Sequence, residues 1–220
     1  SKAPARSASL EAETARHKGA STPRAPARQK HSNVDHMHDS DLAQPFIAQL
    51  RAQVRHGLTA SQQYLAAAVY FDIQRLPQLA GHCYARCEQH RGHALRIVQY
   101  LIDRELEITI GGLGEVRQTF ESPHAAIAFL LAREETAADQ ITELAHLARE
   151  WSDFLGEQFM SWLLETQQQD VAGMSTLLAV MDRAAGNLLD VEEFVARELR
   201  STAPAVNRSV PKMAGAGRNR

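Results

Sequence analysis

Apolar residues recur at helical spacing along most of the chain between residues 44 and 199. Positions three and four apart share one face of a helix, so this recurrence predicts helices that each bury one stripe. The stripes of the four longest segments are Ile47, Leu50, Val54, Leu58, Leu65 and Val69; Leu79, Cys83, Cys87, Ala94, Ile97, Val98 and Leu101; Ile127, Leu130, Leu131, Ala138, Ile141 and Ala145; and Leu163, Met174, Leu177 and Met181.

The breaks between these segments define the topology. The predicted helices cover about 44–74, 77–105, 123–149 and 151–184, and a short fifth helix covers about 188–199. Pro77 and Pro123 suit a first helical turn, and Ser122 suits a helix cap. Short loops join helices one to two and three to four as antiparallel pairs, whereas a long Gly-rich connection joins two to three. The pattern predicts an all-α four-helix bundle with one long crossover and a short fifth C-terminal helix.

Composition divides the chain into three parts. Residues 1–42 and 201–220 show no sustained period and are predicted to be disordered, which leaves a folded domain over 43–200. Residues 1–34 carry seven Lys or Arg against two acidic residues, and 201–220 carry four and no acid, so the net charge of −2 conceals an acidic body. Such a body would collect cations, while the basic tails could contact DNA or another polyanion. The segment with His31, His36 and His38 is a linker or a transition-metal binder.

Cysteine usage and hydropathy bear on location. The two cysteines, Cys83 and Cys87, lie one turn apart, where a disulfide would cross-link nothing, and such a chain suits a reducing compartment. No apolar run approaches the roughly 20 residues that span a bilayer. The N-terminal stretch lacks the apolar core of a secretory signal. We therefore expect a cytoplasmic protein that has no membrane segment.

Polar residues interrupt the stripes on all four long helices. They are Tyr64, His90, His93, Glu134, Gln167 and Asp170. Several inward carboxylates and imidazoles from different helices indicate a site for iron, manganese or zinc, because a buried carboxylate without a partner is costly. Four of these residues also have an ordinary interpretation, whereas His93 and Glu134 together are harder to explain as core residues. Tyr64 and Gln167 could simply be core residues, His90 could bond a carbonyl, and Asp170 could pair with a core arginine, although no inward arginine is obvious.

Four stretches carry a family resemblance. "LTASQQYLAAAVYFD", "LPQLAGHCYARCEQHRGHA", "DFLGEQFMSWLLETQQQDV" and "RAAGNLLDVEEFVARE" resemble prokaryotic, especially actinobacterial, non-haem ferritins over about residues 44–200. The resemblance implies a ferritin-like fold and storage of iron in a hollow shell of 24 subunits. The shell would be a homo-oligomer or a hetero-oligomer with another ferritin.

The resemblance also implies roles for the inward polar residues. Ferritins of this type oxidise iron at a di-iron centre built from a glutamate seven residues before a tyrosine, a Glu-x-x-His pair, a further glutamate and a Gln-x-x-Glu pair. Tyr64 matches the tyrosine and is the candidate catalytic residue. His93 matches the histidine, and Glu134 and Gln167 match the glutamate and glutamine. The helices lack the residues that hold haem in bacterioferritins, so no haem is expected.

Three positions depart from the family pattern. Gly57 stands where the first glutamate is expected, His90 replaces the bridging glutamate, and Asp170 replaces the last glutamate with a shorter side chain. Two Fe²⁺ ions need a bridging carboxylate to offset their repulsion, so a standard di-iron site is not expected. The remaining set of His90, His93, Glu134 and Asp170 predicts one metal ion per subunit, iron or another divalent metal, or none.

Four functional interpretations follow from these departures. The first is an iron-storage shell, with Asp153 and Glu157 at the start of the fourth helix as acidic pore residues. The second is a scaffold shell whose basic tails bind DNA or another polyanion. A third is a catalytically silent subunit that assembles with an active ferritin, and a fourth is an oxidase that uses the altered mononuclear site.

Overall fold

The computed structural model describes residues 44–199 and 210–215. Its helices are α1 (Gln44–Ile73), α2 (Pro77–Asp103), α3 (Pro123–Glu150), α4 (Phe154–Ala184) and α5 (Leu188–Phe194), and a π-helical turn (Val195–Leu199) follows α5. These elements confirm the predicted all-α bundle. In the described part of the chain no helix is long and apolar enough to cross a membrane.

Local chemistry explains where the helices begin and end. The Ser122 hydroxyl accepts a hydrogen bond from the Ala125 amide and caps α3, as the sequence predicts. The fourth helix begins at Phe154 rather than near residue 151. Asp153 caps it by accepting a bond from the Gly156 amide, and Ser152 adopts a positive φ of 55° that ends the preceding turn.

The long crossover, residues 104–122, runs along α1 and is tied to it by specific hydrogen bonds. The Gly114 amide donates to Thr59 Oγ1 at 2.9 Å. Gln63 both donates to the Arg117 carbonyl and accepts from the Arg117 amide, each at 2.8 Å. The crossover therefore has a fixed path although it contains no helix.

Buried apolar side chains form two clusters at different levels of the bundle. One contains Phe71, Leu79, Leu130 and Leu177, and the other contains Leu50 and Leu101 with their neighbours. The predicted stripe of α1 is wrong at two positions, because Leu65 and Val69 are 37% and 45% exposed. The true stripe shifts to the list Tyr64, Ala67, Ala68 and Phe71, all of which are buried.

The chain beyond α4 packs back on α2. Val191 and Val195 are fully buried, and the Glu192 carboxylate accepts hydrogen bonds from the backbone amides of Gln78 and Leu79 at 2.8 and 2.9 Å. A carboxylate at this position accepts hydrogen bonds from amides of the first turn of α2 and matches the helix dipole. Farther along, the Ala214 amide donates to the Leu95 carbonyl of α2.

Candidate functional site

A layer of buried polar side chains separates the two apolar clusters, and Glu134 of α3 is its hub. Glu134 is 1% exposed. Its Oε1 accepts hydrogen bonds from the Tyr64 hydroxyl of α1, from His90 Nε2 of α2 at 2.9 Å and from Arg86 Nη2 of α2 at 3.3 Å. Gln167 of α4 donates to Oε2 and, at 3.0 Å, to the Glu134 backbone oxygen. One carboxylate thus joins all four long helices.

Asp170 of α4 is the second buried carboxylate, and its partner is a buried arginine. Arg86 Nη1 donates to Asp170 Oδ1, and Gln89 Nε2 donates to both Asp170 oxygens at 3.0 and 3.1 Å. Arg86 is only 9% exposed. The sequence interpretation that no inward arginine accompanies Asp170 is therefore wrong, because Arg86 lies one turn before His90 on the same inner face of α2.

The two predicted histidines have different surroundings. His90 stacks on the Tyr64 ring with centroids 5.0 Å apart and bonds Glu134. His93 contacts the rings of His90 and Trp162 edge-on, and no hydrogen bond of its imidazole is seen among the described residues. Burial, reinforced by the charge of His90, lowers the pKa of His93 to about 3. His93 is consequently neutral at physiological pH, and a ring nitrogen keeps its lone pair.

The α1 side of the layer contains a cavity of about 130 Å³, lined in part by His56, Gly57, His93, Glu134 and Gln140. Gly57 also brings α1 and α2 close together, because a Cβ at this position would lie 3.2 Å from the Cβ of Ala94 and 3.5 Å from the His90 carbonyl oxygen. A larger residue at position 57 would require α2 to move by a few tenths of an ångström.

Burial and charge act in opposite directions on the two carboxylates. Burial alone would raise the pKa of Glu134, but the charge and hydrogen bond of His90, together with Arg86 and Tyr64, hold it well below its usual range. Burial raises the pKa of Asp170 and outweighs the opposing charge of Arg86. The pKa of the Tyr64 hydroxyl is raised well above its usual value by burial and by Glu134, so Tyr64 stays protonated and donates.

The structure brings the predicted site residues together in part. Tyr64, His90, Glu134 and Gln167 form direct contacts, and Asp170 joins them through the Arg86 guanidinium. Each oxygen of both carboxylates already accepts at least one protein N–H or O–H. Within residues 44–199 and 210–215, no three His, Cys, Asp or Glu side chains form a group that could hold a metal ion. In this arrangement the two carboxylates bind the Arg86 guanidinium rather than a pair of metal ions.

The two proposed pore residues are paired within the chain. Asp153 accepts hydrogen bonds from the Tyr100 hydroxyl at 2.9 Å and from both terminal nitrogens of Arg104 at 2.7 and 2.6 Å. Glu157 accepts from Arg149 at 2.8 Å and is partly exposed. Asp153 therefore serves as a helix cap and salt-bridge partner, while Glu157 keeps part of its carboxylate at the surface.

The sequence predictions about the tails fall on other residues. The basic residues of 1–34, together with His31, His36 and His38, lie outside the described residues, as does most of the C-terminal tail. Contact of these tails with a polyanion, and metal binding by the three histidines, stay predictions.

Comparisons with known proteins agree with this fold. The family described as a Ferritin-like domain matches residues 47–184. The chain is 46% identical to ferritin BfrB of Mycolicibacterium smegmatis and 47% identical to ferritin BfrB of Mycobacterium tuberculosis, each over 170 residues that cover 77% of this chain and 93% of the relative.

Solved structures show the same architecture at lower sequence identity. An open-pore ferritin from the archaeon Archaeoglobus fulgidus superposes with a TM-score of 0.67 at 19% identity, over 70% of this chain and 95% of that one. This structural likeness supports the helical-bundle fold alone. The family match and the mycobacterial relatives add similarity in amino-acid sequence. The chain therefore belongs to the ferritin-like family and is a prokaryotic ferritin of the actinobacterial type.

Proposed function

We propose that this chain is a subunit of an iron-storing ferritin shell whose bundle centre does not perform rapid two-iron oxidation. Family membership and the names of the relatives support storage, with iron as the cargo. The acidic body of the chain suits collection of cations, because residues 35–200 hold 24 acidic against 13 basic residues. A cytoplasmic location and a shell of 24 subunits belong to the same proposal.

One observation carries the proposal about the centre, namely that Arg86 occupies the space between Glu134 and Asp170. Two adjacent Fe²⁺ ions require several carboxylate oxygens, one pair of which must bridge them. Gly57 supplies no oxygen, His90 cannot bridge while neutral, and the two remaining carboxylates accept hydrogen bonds from protein groups. The chemistry of a metal pair therefore lacks its ligands here.

Surface features support assembly into a shell. Leu65 and Val69 on α1, together with Phe154 and Leu155 at the start of α4, are large apolar side chains with 37–78% exposure in the single chain. Large exposed apolar patches mark protein–protein interaction sites, and these side chains are candidates for such a patch. Light scattering should show a particle many times heavier than the 24.4 kDa chain, and a species near the chain mass would contradict assembly.

A shell without fast oxidation can still store iron, either slowly alone or in mixed assemblies with an oxidising ferritin. Because Arg86 occupies the bundle centre, rapid uptake of iron favours mixed assemblies with an oxidising ferritin. Co-expression of this chain with an active ferritin, followed by mass spectrometry of the intact shells, distinguishes homo-oligomers from mixed ones.

The direct test adds Fe²⁺ anaerobically to the purified protein, then oxygen, and follows ferric absorbance and iron retained on gel filtration. We expect slow oxidation without a burst, with iron eluting in the shell in clear excess over the subunits. Iron that precipitates as in a protein-free control would contradict storage. A fast burst with two irons consumed per subunit would contradict the altered centre.

Restoring a di-iron centre requires more than replacing the two missing carboxylates. Gly57→Glu with His90→Glu leaves Arg86 in place, so we expect little gain from that pair alone. Adding Arg86→Gln should produce faster oxidation, although the short Asp170 side chain and the crowding of position 57 against Ala94 limit the recovery. Stopped-flow measurements on the double and triple variants give the comparison.

A further inference from the structure

Arg86 bonds the two buried carboxylates that a cation in this layer would take as partners. It extends from α2 into the polar layer and bonds one carboxylate from α3 and another from α4. We propose that the Arg86 guanidinium is a built-in cation that replaces a metal in this centre, and that removing it creates a site for one divalent transition-metal ion. The inference builds on the proposed function, which assigns no metal pair to this layer.

Charge is the first step in the argument. Two buried carboxylates are costly unless cations or strong donors compensate them. Among the described residues, Arg86 is the buried Lys or Arg that contacts both Glu134 and Asp170. Its guanidinium is charged at every accessible pH, and its planar fork suits carboxylate oxygens. A subunit with this side chain therefore compensates its buried charge without any metal.

Geometry is the second step. Oε1 of Glu134 accepts hydrogen bonds from Tyr64 and His90 as well as from Arg86. Asp170 likewise accepts from Gln89 as well as from Arg86. These hydrogen bonds leave no room for a second cation at the same carboxylate oxygens. A divalent ion bound there would have to displace the guanidinium and would be repelled while it remained. Arg86 and a metal ion are therefore mutually exclusive occupants.

The side chains left after removal of Arg86 are suited to one metal ion. The buried candidates are His90 and Gln167, each hydrogen-bonded to Glu134, Asp170, which shares Arg86 with Glu134, and His93, which lines the cavity beside Glu134. Two imidazoles and two carboxylates are the ligand class of zinc, cobalt and iron in their divalent states. His93 already has no hydrogen bond in the described structure and lines the cavity beside Glu134. It therefore has no hydrogen bond among the described residues to break in order to coordinate.

The experiment compares the full-length wild-type protein with Arg86→Gln and with Arg91→Gln. Arg91 is the matched control, since it lies on the same helix but is exposed, and its ion pair within the described part of the chain is with the exposed Glu88 at 3.8 Å. Melting temperatures are measured with EDTA and with Zn²⁺, and Co²⁺ binding is measured by absorption and by metal analysis. Metal bound by the tails is common to all three proteins and cancels in the comparison.

We expect the wild-type and Arg91→Gln proteins to melt at nearly the same temperature with EDTA and with Zn²⁺. Arg86→Gln should melt on the order of 10 °C lower in EDTA, because an unpaired buried charge remains. It should recover most of that loss in Zn²⁺ and bind one additional Co²⁺ per subunit, with the visible bands of a histidine- and carboxylate-ligated ion.

Three results would overturn the inference. The first is a wild-type protein that binds Co²⁺ in this layer as strongly as Arg86→Gln does. The second is an Arg86→Gln protein that keeps its melting temperature in EDTA. The third is a variant that loses stability but gains neither Co²⁺ nor thermal recovery. If Arg86→Gln does not fold in EDTA, the variant is refolded with and without Zn²⁺. The inference predicts that only the sample with Zn²⁺ folds. None of these results depends on iron loading, so they are distinguishable from failure of the storage proposal.

Discussion

The two sides of the polar layer fill the space between the helices in opposite ways. On the α4 side, Arg86 and Gln89 fill the space around Asp170 and satisfy both of its oxygens. On the α1 side, Gly57 contributes no side chain, and a cavity of about 130 Å³ remains beside His93, whose imidazole has no hydrogen bond among the described residues. One side is closed by an ion pair, whereas the other keeps a cavity that is lined in part by His56, His93 and Gln140.

This difference shows how a helical bundle can keep a buried carboxylate when no metal pair compensates its charge. Where both carboxylates remain, a permanent cation must stay close to them. Where the carboxylate is absent, as at Gly57, no cation is needed, and the helices can approach until backbone and small side chains touch. The closed side should therefore carry most of the stability of the layer, and the open side should carry most of its sensitivity to pH.

The largest effect is expected from breaking the ion pair on the closed side. Arg86→Met alone or Asp170→Leu alone should each lower the free energy of unfolding by about 3–5 kcal/mol, because each leaves a buried charge without its partner. The double variant should recover a large part of this loss, because the Arg86–Asp170 pair is removed together while Glu134 keeps its hydrogen bonds from Tyr64, His90 and Gln167. Urea denaturation of the four proteins measures the coupling, and additive losses would show that the pair is not a unit.

An intermediate effect is expected from acid on the open side. The pKa of His93 in the folded protein is about 3, against 6.5 for a free histidine, so unfolding takes up a proton between those values. His93 therefore contributes stability that is fully present above pH 6.5 and is lost as the pH falls toward 3, by about 1.4 kcal/mol per pH unit. His82 acts in the same direction, since burial lowers its pKa to about 4.

The variant His93→Leu isolates this contribution. Its stability, measured by urea midpoints between pH 7 and pH 5, should fall less steeply with acid than that of the unchanged protein. His146, which is exposed on α3, provides the control, and His146→Gln should keep the original slope. Equal slopes in all three proteins would mean that His93 is not buried in its neutral form.

The smallest effect is expected at Gly57. Glycine inside a helix usually costs about 1 kcal/mol relative to alanine. Gly173→Ala in α4 should recover that amount, because no described atom beyond its chain neighbours and the local helix backbone lies within 4 Å of the added Cβ. Gly57→Ala should recover little or none, because its Cβ meets Ala94 at 3.2 Å. Equal gains at both positions would show that the close approach of α1 and α2 is not a constraint.

Much of this architecture follows from sequence pattern. Helical spacing, the proline positions and the Ser122 cap predict the helices and the crossover, since these signals act over a few residues. The same register places Tyr64, Glu134 and Gln167 on inner faces, where the structure has them in contact. On α1, however, the stripe drifts, and Leu65 and Val69 face outward because the helix keeps its own period over many turns.

The burial of Arg86 could not be predicted from the sequence pattern. Its position three residues after Cys83 and four before His90 places it on the inner face, but a charged residue is ordinarily assigned to the surface. What makes it inward is its pairing with Glu134 and Asp170, which lie 48 and 84 positions away. Spacing along one helix does not reveal such a pairing, because the three side chains meet only in the assembled bundle. The cavity beside Gly57 likewise depends on how closely two helices pack.

The central claim is that Arg86, rather than iron, occupies the space between Glu134 and Asp170. Crystals of the purified protein soaked anaerobically with Fe²⁺, with diffraction recorded above and below the iron edge, test this directly. The account predicts that Arg86 stays bonded to both carboxylates and that no iron peak appears between them. Two well-occupied irons ligated by Glu134 and His93, with Arg86 turned away, would contradict it.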